Sequence, residues 1–326
     1  MSEILRKQFL RHVAQTSPAP QLIEVARAEG VFFYTPEGKP YYDLVSGVSV
    51  NNVGHGNKAV VEAVQRQVAD YMHIMVYGEM VERPQVEFAR TLAEALPEPL
   101  DSVYFLNSGA EAVEGALKLA KRYTHRTEMI SMRQAYHGST HGAMSMMGTP
   151  EGEEWKNAFR PLLPDTKAIR FNCEEDLQQI TERTACVLCE PVQGEAGVRP
   201  PKDGYLQALR KRCTEVGALL IFDEIQVGMG RTGEMFAMKT KSTTTATAVR
   251  PKNKVFRLVV IANGCSNKVR VRAPRGAESQ SYRAAQRRQI PRPTPRSRCH
   301  QLRLCAQCYY KPSPGAPHVC RQIAGR

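Results

Sequence analysis

The sequence predicts an α/β protein with a mostly parallel sheet covered by helices. Three observations predict it. Between Ser102 and Phe222, apolar runs of strand length alternate with amphipathic helical segments. The runs Ala185-Cys186-Val187-Leu188-Cys189 and Leu219-Leu220-Ile221-Phe222 are apolar throughout, as strands buried on both faces are. Several strand candidates end in clusters of Gly, polar and acidic residues, and sheets of this class bind ligands beyond the carboxyl ends of their strands.

The first segment, to about Tyr42, alternates polar and apolar residues around turn signals such as Thr35-Pro36-Glu37-Gly38. Val31-Phe32-Phe33-Tyr34 and Pro40-Tyr41-Tyr42-Asp43-Leu44 read as a short hairpin. Asn57 to Met72 has helical spacing, with Val60, Val61, Val64, Val68 and Tyr71 on one face. Pro84 to Leu96 is a second helix, and Pro84 suits its first turn. Ser102 to Leu106 is a strand. Ala110 to Tyr123 is a helix, striped by Ala112, Ala116, Leu119 and Ala120. Glu128 to Met132, Ala185 to Cys189 and Ala218 to Phe222 are further strands, and Tyr205 to Val216 is a helix between the last two.

After Ala237 this rhythm stops. Lys241-Ser242-Thr243-Thr244-Thr245 opens a stretch rich in Arg, Pro, Ser and Thr, in which only Leu258 to Ala262 is strand-like. The charge divides at the same place. Residues 239–326 hold 20 Lys/Arg and one acid, Glu278, while residues 1–238 hold 25 Lys/Arg and 31 Asp/Glu. The net charge of +13 therefore says nothing about the partners of the first 238 residues. Such a change of composition marks the tail as disordered or out of frame.

The tail offers two further readings. A nucleic-acid-binding arm is not expected, because the interleaved aromatics are sparse: Phe256, Tyr282, Tyr309 and Tyr310. A zinc site is not expected either. Cys305 and Cys308 form one C-x-x-C, but Cys299, His300, His318 and Cys320 do not supply a similarly spaced second pair. The chain has no apolar run long enough to predict a membrane span, and its first residues lack the apolar stretch of a signal peptide. Nine cysteines without an extracellular signal predict reduced thiols and a cytoplasmic setting.

Four segments carry candidate chemistry. Asn107-Ser108-Gly109-Ala110-Glu111-Ala112 joins a strand end to a helix start. Ser108 can cap the helix, Gly109 permits close backbone approach, and the first-turn N–H groups suit a phosphate. Taken alone, it reads rather as an ordinary capped helix, since many helices begin this way. Tyr136-His137-Gly138 could stack an aromatic on a planar heterocycle, or be a turn with a surface histidine. Asp223, delivered by a buried strand, could face a pyridine nitrogen and keep it protonated, or simply cap a helix or take a salt bridge. A magnesium-holding strand of the Walker-B type needs G-x-x-x-x-G-K-[ST] upstream, which the chain lacks. Glu190-Pro191-Val192-Gln193-Gly194-Glu195 puts two carboxylates on one loop, where they could steer a cation or remain solvated.

These four segments, with Phe222-Asp223-Glu224-Ile225-Gln226 completing the third, resemble the motifs of class III aminotransferases in order and spacing. Val50-Asn51-Asn52-Val53-Gly54-His55 and Gly228-Met229-Gly230-Arg231-Thr232-Gly233 resemble family segments too. The acetylornithine, ornithine and 4-aminobutyrate aminotransferases are the most similar in character.

The resemblance implies the type I pyridoxal-phosphate (PLP) transferase fold, incomplete on its C-terminal side. Residues 1–50 would be the N-terminal part of a small domain, 51–238 a large cofactor-binding domain, and 239–326 the basic tail. The family implies pyridoxal 5'-phosphate as cofactor and a homodimer with the active site at its interface. By the same resemblance, Ser108, Gly109 and Ala110 hold the cofactor phosphate, Tyr136 lies on the ring face, and His137 sits beside it. Asp223, the one catalytic residue assigned, pairs with the pyridine nitrogen, and Gln226 reaches the ring hydroxyl. Glu195 resembles the acid that meets a substrate-gating arginine, and Glu190 supports the same substrate-binding region.

The implied reaction moves an amino group from an amino-acid or ω-amino donor to a 2-oxo acid such as 2-oxoglutarate. Two departures stand out. Ser139 occupies a position where relatives that handle 2-oxoglutarate often carry a carboxylate-binding arginine. The Schiff-base lysine is not identifiable. In the family it follows the strand acid by roughly thirty residues, in an apolar segment before a glycine-rich turn. Lys252 and Lys254 lie near that interval, but Ala248-Val249-Arg250-Pro251-Lys252-Asn253-Lys254 carries charge and a proline and no such turn. The alternative expectation is an inactive remnant of the fold, acting at most as a binding or interaction protein.

One prediction concerns the gene. If the tail is out of frame from about Ala237 to Lys241, another frame of the coding DNA will encode a lysine followed by a glycine-rich turn. Finding none in any frame would refute a frameshift.

Overall fold

The strand with the continuous apolar run Ala185–Cys189 takes an interior position in the main sheet. In the computed structural model, which describes residues 2–16, 18–75, 78–98, 100–148, 154–239 and 258–262, all six residues of Thr184–Cys189 are buried. The chain begins with α1 (Ser2–His12) and a three-stranded antiparallel sheet of β1 (Arg27–Glu29), β2 (Phe32–Tyr34) and β3 (Pro40–Tyr42). The expected hairpin is β2–β3, and Gly38 turns it with a φ of 82°. Next comes a single turn, α2 (Ser46–Ser49), which is left-handed at Gly47 and Val48 (φ 63° and 61°).

Helices α3 (Lys58–Asp70) and α4 (Arg83–Ala95) match the two helical stretches read from spacing. Asn57 caps α3 by accepting the Val60 N–H. The α3 stripe is not a core face here: Val61, Val64 and Val68 are 42%, 42% and 50% exposed.

The α/β part follows: β4 (Ser102–Leu106), α5 (Gly109–Thr124), β5 (Glu128–Met132), α6 (His141–Ser145), α7 (Glu154–Asn157), β6 (Thr166–Ile169), β7 (Thr184–Cys189), α8 (Tyr205–Val216) and β8 (Leu219–Phe222). The main sheet runs β6-β5-β7-β8, and every pairing is parallel. The strand-like run Leu258–Ala262 forms β9, which pairs in parallel with β4. Of residues 239–326, only Lys239 and β9 are described, so Lys252, Lys254, the cysteine cluster around Cys305 and nearly all the excess positive charge lie outside the described residues.

Both faces of the sheet are covered, which is why β7 is apolar from Ala185 to Cys189. One face packs Ile130, Met132, Val187 and Cys189 against Tyr205, Leu209 and Cys213 of α8. The other packs Met129, Cys186 and Leu188 against Val113, Leu117 and Ala120 of α5. Arg126, just past α5, ties the amino end of β7 to the carboxyl end of α8 by donating to the carbonyls of Thr184 and Val216 at 3.0 and 2.9 Å. Residues brought into register this way (Cys189 opposite Phe222, Val187 opposite Leu220) deliver their loops to one edge of the sheet.

The centrality of β7 is testable. Leu188 is fully buried, so Leu188→Ala should cost about 2–5 kcal/mol of unfolding free energy in a denaturant titration. A loss below about 1 kcal/mol would contradict the packing described.

Candidate active site

The loops that leave β4, β5, β7 and β8 at their carboxyl ends hold the candidate residues. The first begins α5. Ser108 has extended backbone (φ −142°, ψ 163°), and its Oγ accepts the Glu111 N–H. Glu111 reaches back and accepts the Asn107 N–H at 2.8 Å. This reciprocal cap fixes the first turn, leaving the N–H groups of Gly109 and Ala110 ahead of the helical ladder, where an anion is favoured.

The loop after β5 passes hard against that turn. Gly138 has a φ of 116°, and a Cβ there would meet Ala110 Cβ at 2.7 Å and Ala110 Cα at 2.9 Å. Glycine is required twice over, by conformation and by space. The close approach brings the loop that carries Tyr136 and His137 against the first turn of α5 at Gly138. Gly109 in turn has a position for Cβ only 3.0 Å from Ile225 Cδ1, so the loop after β8 closes the same space.

Asp223 and His137 form the buried centre. Asp223 is 8% exposed and His137 2%. His137 Nδ1 lies 2.7 Å from Asp223 Oδ2, which assigns the proton to Nδ1, donating to the carboxylate. Asp223 Oδ1 accepts the Ile225 N–H at 3.1 Å, and the Asp223 N–H donates to the Cys189 carbonyl at 2.9 Å. Among the described residues, His137 Nε2 is buried without a hydrogen-bond partner. Such an atom is costly to leave unsatisfied, and it marks the pocket as built to meet something more than the protein alone.

Glu190 follows β7 and is buried. Its Oε1 accepts the Tyr136 N–H at 3.0 Å, and its Oε2 accepts the Gly194 N–H at 2.9 Å. Burial pushes its carboxyl up, while those two N–H groups and nearby His137 oppose the rise. Glu195 is exposed. Gln226 donates to it at 2.6 Å, lying over Gly194 so closely that no Cβ would fit. Tyr136 keeps 44% of its surface exposed, so its ring is available to a ligand. Ser139 is also exposed.

The two remaining segments meet one another. Arg231 Nε donates to the Ser49 carbonyl at 3.1 Å, its Nη2 also reaches Asn52 Oδ1, and Asn52 Nδ2 donates to the Met229 carbonyl at 2.9 Å. His55 bridges Asp43 at 2.7 Å and Asn51 at 3.1 Å. Sequence reasoning did not find Glu224. Burial pushes its carboxyl up, and it accepts the N–H groups of Ala237 and Met238 at 2.8 and 2.7 Å. Its position next to Asp223 was the only local signal, and a tether thirteen residues away is not visible in periodicity.

The donor set fits a flat, anionic, nitrogen-containing cofactor. A capped helix start, an accessible aromatic ring and a buried carboxylate held by histidine share one end of the sheet. Among the described residues no cluster of His, Cys, Asp and Glu has the makings of a metal site.

Comparison with known proteins agrees. Residues 13–249 match the model of the aminotransferase class-III family. The acetylornithine aminotransferase of Methanopyrus kandleri is 44% identical over 220 residues, covering 67% of this chain and 55% of its own length. The structure of an adenosylmethionine-8-amino-7-oxononanoate aminotransferase from Methanocaldococcus jannaschii superposes with a TM-score of 0.67 at 31% identity, covering 73% of this chain and 58% of that one. A Toxoplasma gondii ornithine aminotransferase structure, described as having partial occupancy of PLP at its active site, gives a TM-score of 0.63 at 27% identity, covering 73% and 56%. The chain thus spans little more than half the length of the relatives it matches. From its motifs, its parallel sheet and these likenesses together, this chain belongs to the aminotransferase class-III family.

Proposed function

We propose that the chain binds pyridoxal 5'-phosphate at the carboxyl ends of its sheet and that the protein is a transaminase. The donor would be an amino acid or ω-amino compound of the acetylornithine or ornithine kind, and the acceptor a 2-oxo acid such as 2-oxoglutarate. The observation that carries the reading is the His137–Asp223 pair, buried within reach of the Ser108–Ala110 turn through Gly138.

The residues divide the work. Ser108, Gly109 and Ala110 would take the phosphate, Tyr136 the ring face, and Gln226 the ring hydroxyl after leaving Glu195. Asp223 would hold a proton on the pyridine nitrogen. His137, donating from Nδ1, fixes the orientation of the Asp223 carboxylate. When bound, the cofactor supplies an electron sink for a carbanion. Glu195, on an exposed loop, would face the substrate's cationic end or an arginine. The division into a small-domain part (1–50), a large cofactor domain (51–238) and a tail (239–326) belongs to this reading.

A homodimer is part of the same proposal. The exposed Val61, Val64 and Val68 of α3, with Met72 at 83% exposure, form an apolar strip of the kind subunit interfaces cover. The free buried thiols of Cys186, Cys189 and Cys213 suit a reducing, cytoplasmic setting. No described helix is long and apolar enough to cross a membrane.

A second reading is a chain that holds the cofactor without turning it over. One observation favours it: among the described residues, no lysine joins the cluster around Asp223. Spectrophotometric titration with pyridoxal phosphate separates the two. The wild-type chain should bind saturably, and Ser108→Ala should weaken binding about tenfold. Borohydride fixation of the cofactor, with donor-dependent turnover, is the result expected of a transaminase. Binding without fixation supports the second reading. No saturable binding would overturn both.

A further inference from the structure

Glu190 is 5% exposed, and both of its carboxylate oxygens are spent on backbone amides. The two amides belong to different loops. Tyr136 lies in the loop after β5, and Gly194 in the loop after β7, the neighbouring parallel strand. A second tie joins the same loops: Gln193, fully buried, donates from Nε2 to the Arg133 carbonyl at 2.9 Å. From Gly194 the connection continues, because Gln226 lies over that glycine and donates to Glu195. The Glu190 carboxylate thus ties the backbone that carries Tyr136 to the backbone that leads into Glu195, with Gln226 joined at the far end. Its own oxygens face inward, to the amides.

We propose that Glu190 is a positioning residue: an ionised double acceptor that sets the Tyr136 ring and the Gly194–Glu195 loop against Asp223, rather than a group that touches substrate. This rests on the reading of the site as a pyridoxal-phosphate pocket. The chemistry is restrictive. A carboxylate accepts on both oxygens at once, and charge strengthens both bonds. A glutamine of the same shape offers one acceptor and one NH2, and the NH2 must face a backbone N–H. An aspartate is one methylene too short to span both loops. Neither replacement keeps both amide bonds.

The test compares the wild-type chain with Glu190→Gln. Hydrogen exchange is measured at the Tyr136 and Gly194 amides without ligand, and induced circular dichroism is measured on adding pyridoxal phosphate. Both amides should be protected in the wild type, and in Glu190→Gln at least one should exchange about tenfold faster or more. The variant should still bind the phosphate end, with affinity reduced about tenfold, but should lose most of the induced signal, which reports how the ring is held. A purely structural role would lower the melting temperature and leave that signal, per bound cofactor, unchanged.

Unprotected Tyr136 and Gly194 amides in the folded wild type would overturn the clamp even if Glu190→Gln fails to fold. A wild-type signal retained in full by Glu190→Gln would overturn the positioning role alone. A wild-type chain with protected amides and no cofactor signal would overturn the reading of the site, and the positioning role with it.

Discussion

A buried carboxylate organises this end of the molecule. Asp223 is held through its N–H by the carbonyl that ends β7, through Oδ2 by His137 from the loop after β5, and through Oδ1 by Ile225 on its own loop. Ile225 in turn packs against Gly109 at the start of α5. Three strand ends and a helix start thus converge on one charge. A buried carboxylate is costly unless donors meet it, and His137 and the Ile225 N–H each supply one. The loops are therefore not free to choose other positions. The pocket is assembled by the same contacts that make the buried charge tolerable.

The sheet makes this arrangement possible. Parallel pairing sends the loops after β5, β7 and β8 to the same edge, and Gly138 and Ile225 meet the start of α5, which follows β4 of the separate β4–β9 pair, at that edge. Glycine supplies the final closeness. Gly138 lets the β5 loop touch the first turn of α5, and Gly194 makes room for Gln226. A side chain at Gly138 would force the β5 loop away from Ala110, and one at Gly194 would displace Gln226. The Asn52–Arg231 ties show the N-terminal part of the chain docking on the loop that follows Asp223.

The parts legible in the sequence were those with local causes. The apolar runs of β7 and β8, the serine cap of α5 and the strand-end position of Asp223 are each written within a few residues. The parts that were not legible depend on distant neighbours. The strand β6, Thr166-Lys167-Ala168-Ile169, sits at the sheet edge and needs no continuous apolar run. The strand β1 is three residues long and carries Arg27 and Glu29. Glu190 read as one of two acids on a loop; only the fold shows its oxygens turned to the amides of Tyr136 and Gly194. Nothing local distinguishes Glu224 from any acid beside a strand, yet it tethers Ala237 and Met238. The helical spacing of Val61, Val64 and Val68 identified a common face correctly, but spacing does not tell a core face from one that another surface covers.

The central claim is that the strand ends form one preassembled cofactor pocket. A crystal structure of the chain grown with pyridoxal phosphate tests it most directly. The phosphate should lie at the N–H groups of Gly109 and Ala110, the ring beside Tyr136, and the pyridine nitrogen within hydrogen-bond distance of Asp223, with the His137–Asp223 bond unchanged. A cofactor bound elsewhere, or one whose ring nitrogen faces away from Asp223, would contradict it.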